Sequence, residues 1–155
     1  MGEVWALGLD IGRRRIGLAG CDRLGLTATE LPTLTRTTMG EDIEAIAGVV
    51  RDRQINQLVI GVPYAQDGTL GKQAQRTKKQ GRKFANALEL PVDWVDERCT
   101  SVTAEYMLRR RGIVPAFLRD RIDGLAAVLI LQAWLDGQRS AKSDVMDSDL
   151  AEPQP

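Results

Sequence analysis

Residues 7–19 read Leu-Gly-Leu-Asp-Ile-Gly-Arg-Arg-Arg-Ile-Gly-Leu-Ala, and this stretch decides the fold. Two apolar runs flank a short Gly-Arg junction, a spacing that predicts antiparallel strands over residues 4–10 and 14–21. Because alternate residues of a strand share a face, Asp10 lies on the same face as Gly8 and opposite the leucines. A carboxylate beside glycine has open space above it, which a metal ion, a phosphate or a closely packed helix must fill.

Helices and strands alternate along the rest of the chain. The apolar periodicity predicts a strand at 28–35, helix at 39–54, strand at 58–62, helix at 71–88, strand at 92–95, helix from Thr100 or Ser101 to about 110, and helix at 119–137. Pro32 favours an edge position for the strand that contains it, and Gly137 is expected to end the last helix. This order predicts an α/β layered domain with a mixed sheet.

The absence of histidine narrows the chemistry open to this chain. Ser-His-Asp and Cys-His nucleophile systems are excluded, and so are histidine general bases and imidazole-based zinc sites. Hydrolysis would then depend on carboxylates with a hard cation such as Mg²⁺ or Mn²⁺. Cys21 and Cys99 are too few for a disulfide framework and are typical of reduced thiols in a cytoplasmic protein. Neither a secretion signal nor an apolar run of about 20 residues occurs, so we predict no membrane association.

The formal net charge of zero conceals an uneven distribution of charge. Residues 141–155 contain one basic and four acidic residues, which leaves 20 basic and 17 acidic residues in the rest of the chain. We therefore predict a single, mildly basic domain over residues 1–138. Residues 139–155 are expected to form an acidic, disordered tail, because they lack apolar periodicity.

Three acidic residues at the ends of predicted elements are the candidate catalytic and metal-binding residues. Asp10 lies on the first strand, Glu97 follows the strand at 92–95, and Asp123 lies near the start of the last helix. That helix is apolar on nearly all sides, so it must be buried against the sheet and would carry Asp123 with it. Adjacent carboxylates repel one another unless a cation neutralises them, and two divalent ions would activate water against a phosphodiester. The alternative for each acid alone is a surface or capping role.

A stripe of positive charge runs along the predicted helix at 71–88. Four basic residues fall within about 60° of arc, and no acidic residue occurs from 72 through 88. Solvated faces normally mix charges of both signs, so this pattern favours polyanion binding over an ordinary solvated face. No interleaved aromatic residues suggest base stacking. With three arginines outside the helix, the predicted nucleic-acid-binding residues are Arg13, Arg15, Lys72, Arg76, Lys79, Lys83 and Arg98.

In combination, these features resemble the YqgF (RuvX) family of bacterial nucleases. The resemblance covers residues 7 to about 135 and rests on four blocks in order: Gly-Leu-Asp-Ile-Gly at 8–12 with Arg-Ile-Gly-Leu-Ala at 15–19, Val-Ile-Gly at 59–61 with Asp-Gly at 67–68, Val-Asp-Glu-Arg at 95–98 with Thr-Ser at 100–101, and Asp123 with Ala-Ala at 126–127. It implies a ribonuclease H-like fold with a five-stranded mixed sheet flanked by helices. It also implies a catalytic triad of Asp10, Glu97 and Asp123. Residues 64–66 and Gly124 depart from the commoner family pattern.

The resemblance further implies a function. The activity would be metal-dependent phosphodiester cleavage, with Mg²⁺ or Mn²⁺ at a two-metal site, that processes the 5′ end of pre-16S rRNA during ribosome biogenesis in the cytoplasm. The implied partners are structured RNA and ribosomal precursor particles. The alternative is a Holliday junction resolvase acting on branched DNA, which needs two nicks and therefore a symmetric dimer. A monomer and a homodimer both stay open.

Two other classes of protein fit parts of the pattern. A phosphate-binding ATPase of the actin and sugar-kinase type also opens with Asp-x-Gly. Such proteins need two domains that close around the nucleotide, and this chain has room for only one. A non-catalytic RNA-binding assembly factor would use the acids for structure alone, and it predicts that Asp10→Asn leaves every cellular role intact.

Overall fold

The computed structural model describes residues 3–65, 67–97 and 118–151, and in the last range it describes side chains for residues 124–140. The predicted helix that begins at Thr100 or Ser101 lies outside these ranges, as does Arg98. Within them the chain forms five strands and three helices: β1 (Ala6–Ile11), β2 (Arg15–Cys21), β3 (Ala28–Thr35), α1 (Met39–Arg53), β4 (Gln57–Val62), α2 (Lys72–Leu88), β5 (Val92–Asp96) and α3 (Leu118–Ala151).

The five strands form one mixed sheet in the order β3-β2-β1-β4-β5. β1 and β2 form the predicted antiparallel hairpin, with Leu9 opposite Leu18, while β1, β4 and β5 are parallel neighbours. β1 begins two residues later than the pattern predicted. Pro32 lies in the edge strand β3, as expected, because proline has no amide hydrogen to give to a neighbouring strand.

The sheet separates two hydrophobic cores. On one face, alternate strand residues pack with α1 and α2, and this core includes Leu7, Leu9, Ile46, Ile60 and Phe84. On the other face the strand residues are smaller and pack against α3, and this core includes Ala6, Val59, Ala127, Ile130 and Leu131. The small residues allow the backbone of α3 to approach the sheet closely. The predicted α/β architecture is confirmed.

The end of α3 is a correction to the sequence analysis. The helix does not stop at Gly137 but continues to Ala151. An interior glycine costs a helix only about 1 kcal/mol relative to alanine, and contacts beyond it offset this cost. Arg139 forms an ion pair with Asp136 across Gly137 and donates hydrogen bonds to the carbonyl of Leu26 (3.0 Å) and that of Gly25 (3.3 Å).

The same helix takes in most of the segment for which composition predicted disorder. The backbone of residues 139–151 is helical. No proline occurs between Gly137 and residue 151, so nothing in the covalent structure stops the helix there. The division of the chain at residue 138 into a domain and a tail stays a prediction. Among the described residues, none of the helices combines the length and apolarity that a membrane crossing requires.

Candidate active site and nucleic-acid interface

The parallel strands bring Asp10 and Glu97 to one edge of the sheet. Asp10 is the penultimate residue of β1, and Glu97 directly follows β5. In register, Leu9 lies opposite Ile60, and the amide of Glu97 donates a hydrogen bond to the carbonyl of Val62 (3.0 Å). Both carboxylates are half-buried. The carboxyl ends of parallel strands are where α/β sheets bind their ligands, so this edge is the candidate active site.

Gly61 lies between the two acids on the face of the sheet that packs against α3. Gly61 follows Ile60, which is paired with Leu9 of β1, so Gly61 neighbours Asp10. A Cβ atom on Gly61 would lie 3.6 Å from the carboxyl carbon of Glu97 and would clash with Ile130. The missing side chain therefore makes room for Ile130 of α3, close to the Glu97 carboxylate. Sequence reasoning used this glycine only as part of a motif, although a glycine within a buried apolar strand often marks such a close approach.

A packed helix fills the open space above β1 at Gly8. A Cβ atom on Gly8 would lie 2.8 Å from the Cβ of Leu131 and 3.1 Å from the carbonyl oxygen of Ala127. Asp10 is the next residue on this face, two positions nearer the edge. The sequence left a metal ion, a phosphate or a packed helix as alternatives for the space above this strand. Above Gly8, the space is filled by the helix α3.

The direction of α3 bears on the third predicted acid. Trp134 donates a hydrogen bond to Asp93 in β5, whereas Ile130 contacts Gly61, which is nearer the carboxyl edge of the sheet. The helix therefore runs antiparallel to the parallel strands, and its start, with the backbone of Asp123, is directed towards the edge that carries Asp10. The side chain of Asp123 lies outside the described part, so the triad stays a prediction.

Two of the three residues predicted to bind metal, Asp10 and Glu97, have described side chains. Among all the described residues, no group of three or more His, Cys, Asp or Glu residues is arranged to hold a metal ion. A further acid lies near the start of α3, because a Cβ atom on Gly124 would clash with the carboxylate of Glu30. This contact gives a physical reason for glycine at a position where the family commonly has alanine.

The predicted basic stripe occupies the solvent-facing side of α2. Ala74 and Phe84, on the opposite side of the helix, are buried. All four members of the stripe are exposed: Lys72, Arg76, Lys79 and Lys83. Arg13 is exposed in the β1–β2 turn, and Arg15 is half-buried at the start of β2. The structure therefore supports the amphipathic arrangement, while the role of these residues stays a prediction.

Sequence reasoning missed an aromatic pair beside this helix. The Lys78 ammonium nitrogen lies 5.8 Å from the ring centroid of Tyr64 and 5.5 Å from that of Trp94. The Arg82 guanidinium carbon lies 5.9 Å from the Trp94 ring. These distances are typical of cation–π contacts. Tyr64 and Trp94 are 30 positions apart, so no local pattern could have placed them around one cation.

Proteins of similar sequence match most of this chain. A protein of Synechococcus elongatus named "Putative pre-16S rRNA nuclease" is 50% identical over 137 residues, covering 88% of this chain and 92% of the relative. A protein of Acaryochloris marina with the same name is 52% identical over 136 residues, covering 88% and 94%.

Solved structures share the fold at low sequence identity. Thermus thermophilus RuvC in complex with a Holliday junction substrate superposes with a TM-score of 0.56 at 15% identity, covering 88% of this chain and 96% of RuvC. Fowlpox virus resolvase with Holliday junction DNA gives 0.50 at 10% identity, covering 87% and 99%. These likenesses show the ribonuclease H-like fold that the resemblance implied. The model of the RuvX family, described as Holliday junction resolvase, matches residues 4–137. The chain therefore belongs to the RuvX family.

Proposed function

We propose that this chain is a metal-dependent nuclease that processes the 5′ end of pre-16S rRNA in the cytoplasm, acting on structured RNA within ribosomal precursor particles. The observation that supports the proposal is the placement of Asp10 and Glu97 at the same edge of the sheet, at the carboxyl ends of parallel strands on either side of Gly61. The names of relatives about 50% identical to this chain support the choice of substrate.

The donor set fits a hard divalent cation. Asp10 and Glu97 offer carboxylate oxygens, the ligands that Mg²⁺ and Mn²⁺ prefer. The Glu97 carboxyl carbon lies 3.6 Å from the point where a Cβ of Gly61 would be, and Gly61 neighbours Asp10 across β4 and β1, so both carboxylates are on the same edge of the sheet. Asp123 would complete the set from the start of α3. When bound, a pair of such cations supplies an activated water and stabilises the leaving oxygen of a phosphodiester.

The protein's own residues would bind and orient the substrate. The exposed cations of α2 and Arg13 would hold phosphates near the edge that carries Asp10. The packing of α3 on Gly8 and Gly61 would hold the start of that helix in position against the sheet. Such fixed positioning is required, because a misplacement of about 1 Å can cost a catalytic site about 10²-fold in rate.

Substitution of Asp10 tests this function directly. Wild type, Asp10→Asn and the exposed control Asp52→Asn are incubated with precursor rRNA and with four-way junction DNA, with and without Mn²⁺ or Mg²⁺. We expect Asp10→Asn to retain its fold, measured by circular dichroism, and to lose about 10²-fold or more of the cleavage rate. We expect the control to cleave like wild type. Undiminished cleavage by folded Asp10→Asn would refute the proposed catalytic role.

Holliday junction resolution is the second candidate function. The family description and the fold shared with RuvC support it. Two coordinated nicks need two active sites related by a two-fold axis, so this candidate requires a homodimer. Cleavage of four-way DNA in preference to precursor rRNA by a dimeric species, measured by light scattering, would favour it. A monomer that cleaves only RNA would exclude it.

A further inference from the structure

A polar groove lies on the α1–α2 side of the sheet, beneath the turn that connects β1 and β2. Its volume is about 540 Å³, and its lining includes Arg13, Arg14, Thr35, Arg36, Asp42 and Gln80. A narrower extension of about 50 Å³ shares Arg13 and Gln80 and continues past Gly12 to Arg76. Because Arg76 also belongs to the basic stripe, groove and stripe meet on one surface.

A buried ion pair fixes the walls of this groove. The Arg36 guanidinium donates hydrogen bonds to the carboxylate of Asp42 (3.1 Å), the carbonyl of Gly12 (2.9 Å) and the side-chain oxygen of Gln80 (2.7 Å). Asp42 is only 2% exposed and also accepts from the amide of Thr37 (3.0 Å). One guanidinium thus joins the β1–β2 turn, α1 and α2, so the groove is held in shape without a ligand.

The same pairing leaves the groove with excess positive charge. Asp42 is the only acid among the described lining residues, and its charge is matched by Arg36. Arg13 and Arg14 are exposed, and within the described part of the chain their side chains form no ion pair. The remaining lining includes threonines, glutamines, Met39 and Ile11. Arginine forks beside neutral hydrogen-bond donors match the oxygens of phosphodiesters.

We propose that this groove binds phosphates of a substrate segment outside the one being cleaved, so that the nucleic acid passes around the β1–β2 turn. The inference rests on the proposed nuclease function and adds a second contact to it. Arg14 is four residues beyond Asp10, at most about 14 Å along extended chain, so one strand can reach both. A groove formed by arginines beside the catalytic edge would favour long or branched RNA over short fragments.

Arg14 is the residue to test, because its side chain is exposed, while its backbone carbonyl accepts a hydrogen bond from the amide of Arg36 (2.8 Å), which the substitution leaves in place. The variants are Arg14→Gln, the charge-preserving Arg14→Lys, and Arg51→Gln, which removes an exposed arginine near the end of α1. Dissociation constants for short and long oligoribonucleotides are measured by fluorescence anisotropy over a range of salt concentrations, without divalent cations.

The affinity for RNA falls with salt, and we expect Arg14→Gln to make this dependence less steep, with the magnitude of the slope of log affinity against log salt reduced by about 0.7–0.9 for the long RNA. Its affinity for that RNA should fall several-fold, and its preference for long over short RNA should shrink. Arg14→Lys should retain the slope, and Arg51→Gln should match wild type. If Arg14→Gln keeps the wild-type slope and affinity while wild type cleaves RNA, the groove proposal is overturned and the nuclease proposal stands. If wild type neither binds nor cleaves RNA, the proposed function itself fails.

Discussion

The surroundings of each carboxylate decide its role in this protein. Asp42 is buried against Arg36, whose guanidinium joins the β1–β2 turn, α1 and α2. Asp22 accepts hydrogen bonds from the amides of Leu26 (2.8 Å) and Thr27 (2.7 Å) and closes a turn. Asp10 and Glu97 instead lie at the carboxyl edge of the parallel strands. Sequence position alone identified the last two as candidates, because each is at the end of a strand, but it could not assign the other two.

Asp22 gives a prediction for the pH dependence of stability. The hydrogen bond from Thr27, together with that from Leu26, lowers the pKa of the Asp22 carboxyl below its ordinary value of about 4. A group with a lowered pKa stabilises the folded state at pH values above its ordinary pKa. This stabilisation is lost as the pH falls through the pKa of the folded state. We expect wild type to unfold at a higher temperature than Asp22→Asn at neutral pH, and this difference to shrink towards pH 2. Thermal unfolding followed by circular dichroism measures it, and a constant difference would contradict the assignment.

At the scale of elements, the close approach of α3 to the sheet links packing to the site. Gly8 and Gly61 lack the side chains that would push this helix away. The helix also extends past Gly137, held by the contacts of Arg139 with the loop before β3. The apolar sequence predicted that this helix is buried, but its register on the strands came only from the tertiary structure.

The substitution Gly8→Ala tests this link. The new Cβ would meet the Cβ of Leu131 and the backbone oxygen of Ala127, neither of which can rotate away. Overpacking of this kind typically costs about 1–3 kcal/mol of the free energy of unfolding, measured by urea denaturation. Cleavage should fall as well, because the helix that carries Asp123 must shift.

The matched control is Gly48→Ala in α1, where a Cβ atom would meet nothing within 4 Å. Alanine is the better helix former, so this variant should gain about 0.5–1 kcal/mol. Equal stabilities of the two variants would show that α3 does not pack tightly on Gly8.

At the scale of the whole molecule, charge is unevenly distributed along the chain. The exposed cations of α2 are continuous with the arginines of the β1–β2 turn through Arg76, which lies close to Gly12 and Arg13. The end of the chain, by contrast, is acidic, with four acidic residues and one basic residue over residues 141–155. A net charge of zero is therefore compatible with a surface that binds polyanions.

Reversal of charge at Lys79 tests the stripe as a whole. Because a phosphate contact does not depend on base identity, Lys79→Glu should weaken RNA binding evenly across sequences and lower the salt slope by about one. Arg51→Glu, at the far end of α1, is the control and should bind like wild type. Filter binding at low salt measures both, and unchanged affinity of Lys79→Glu would remove the stripe from the binding surface.

The sequence by itself determined the five strands, the first two described helices and the start of the last helix, and it placed two of the candidate residues at strand ends. Hydrophobic periodicity is local, so the hairpin, the edge strand with Pro32, the amphipathic α2 and the mixed sheet could all be predicted. Strand ends are local as well, and for this reason Asp10 and Glu97 could be named as candidates from the sequence.

Only the tertiary structure decided which distant groups meet. It placed α3 on Gly8, set the Glu97 carboxyl group beside Gly61, brought Tyr64 and Trp94 to one lysine, and joined the β1–β2 turn to α1 and α2 through Arg36. It also carried α3 through Gly137, against a local signal for a helix end. The physical reason is that these contacts join residues far apart in the chain, and their energies outweigh the weak preferences of single residues.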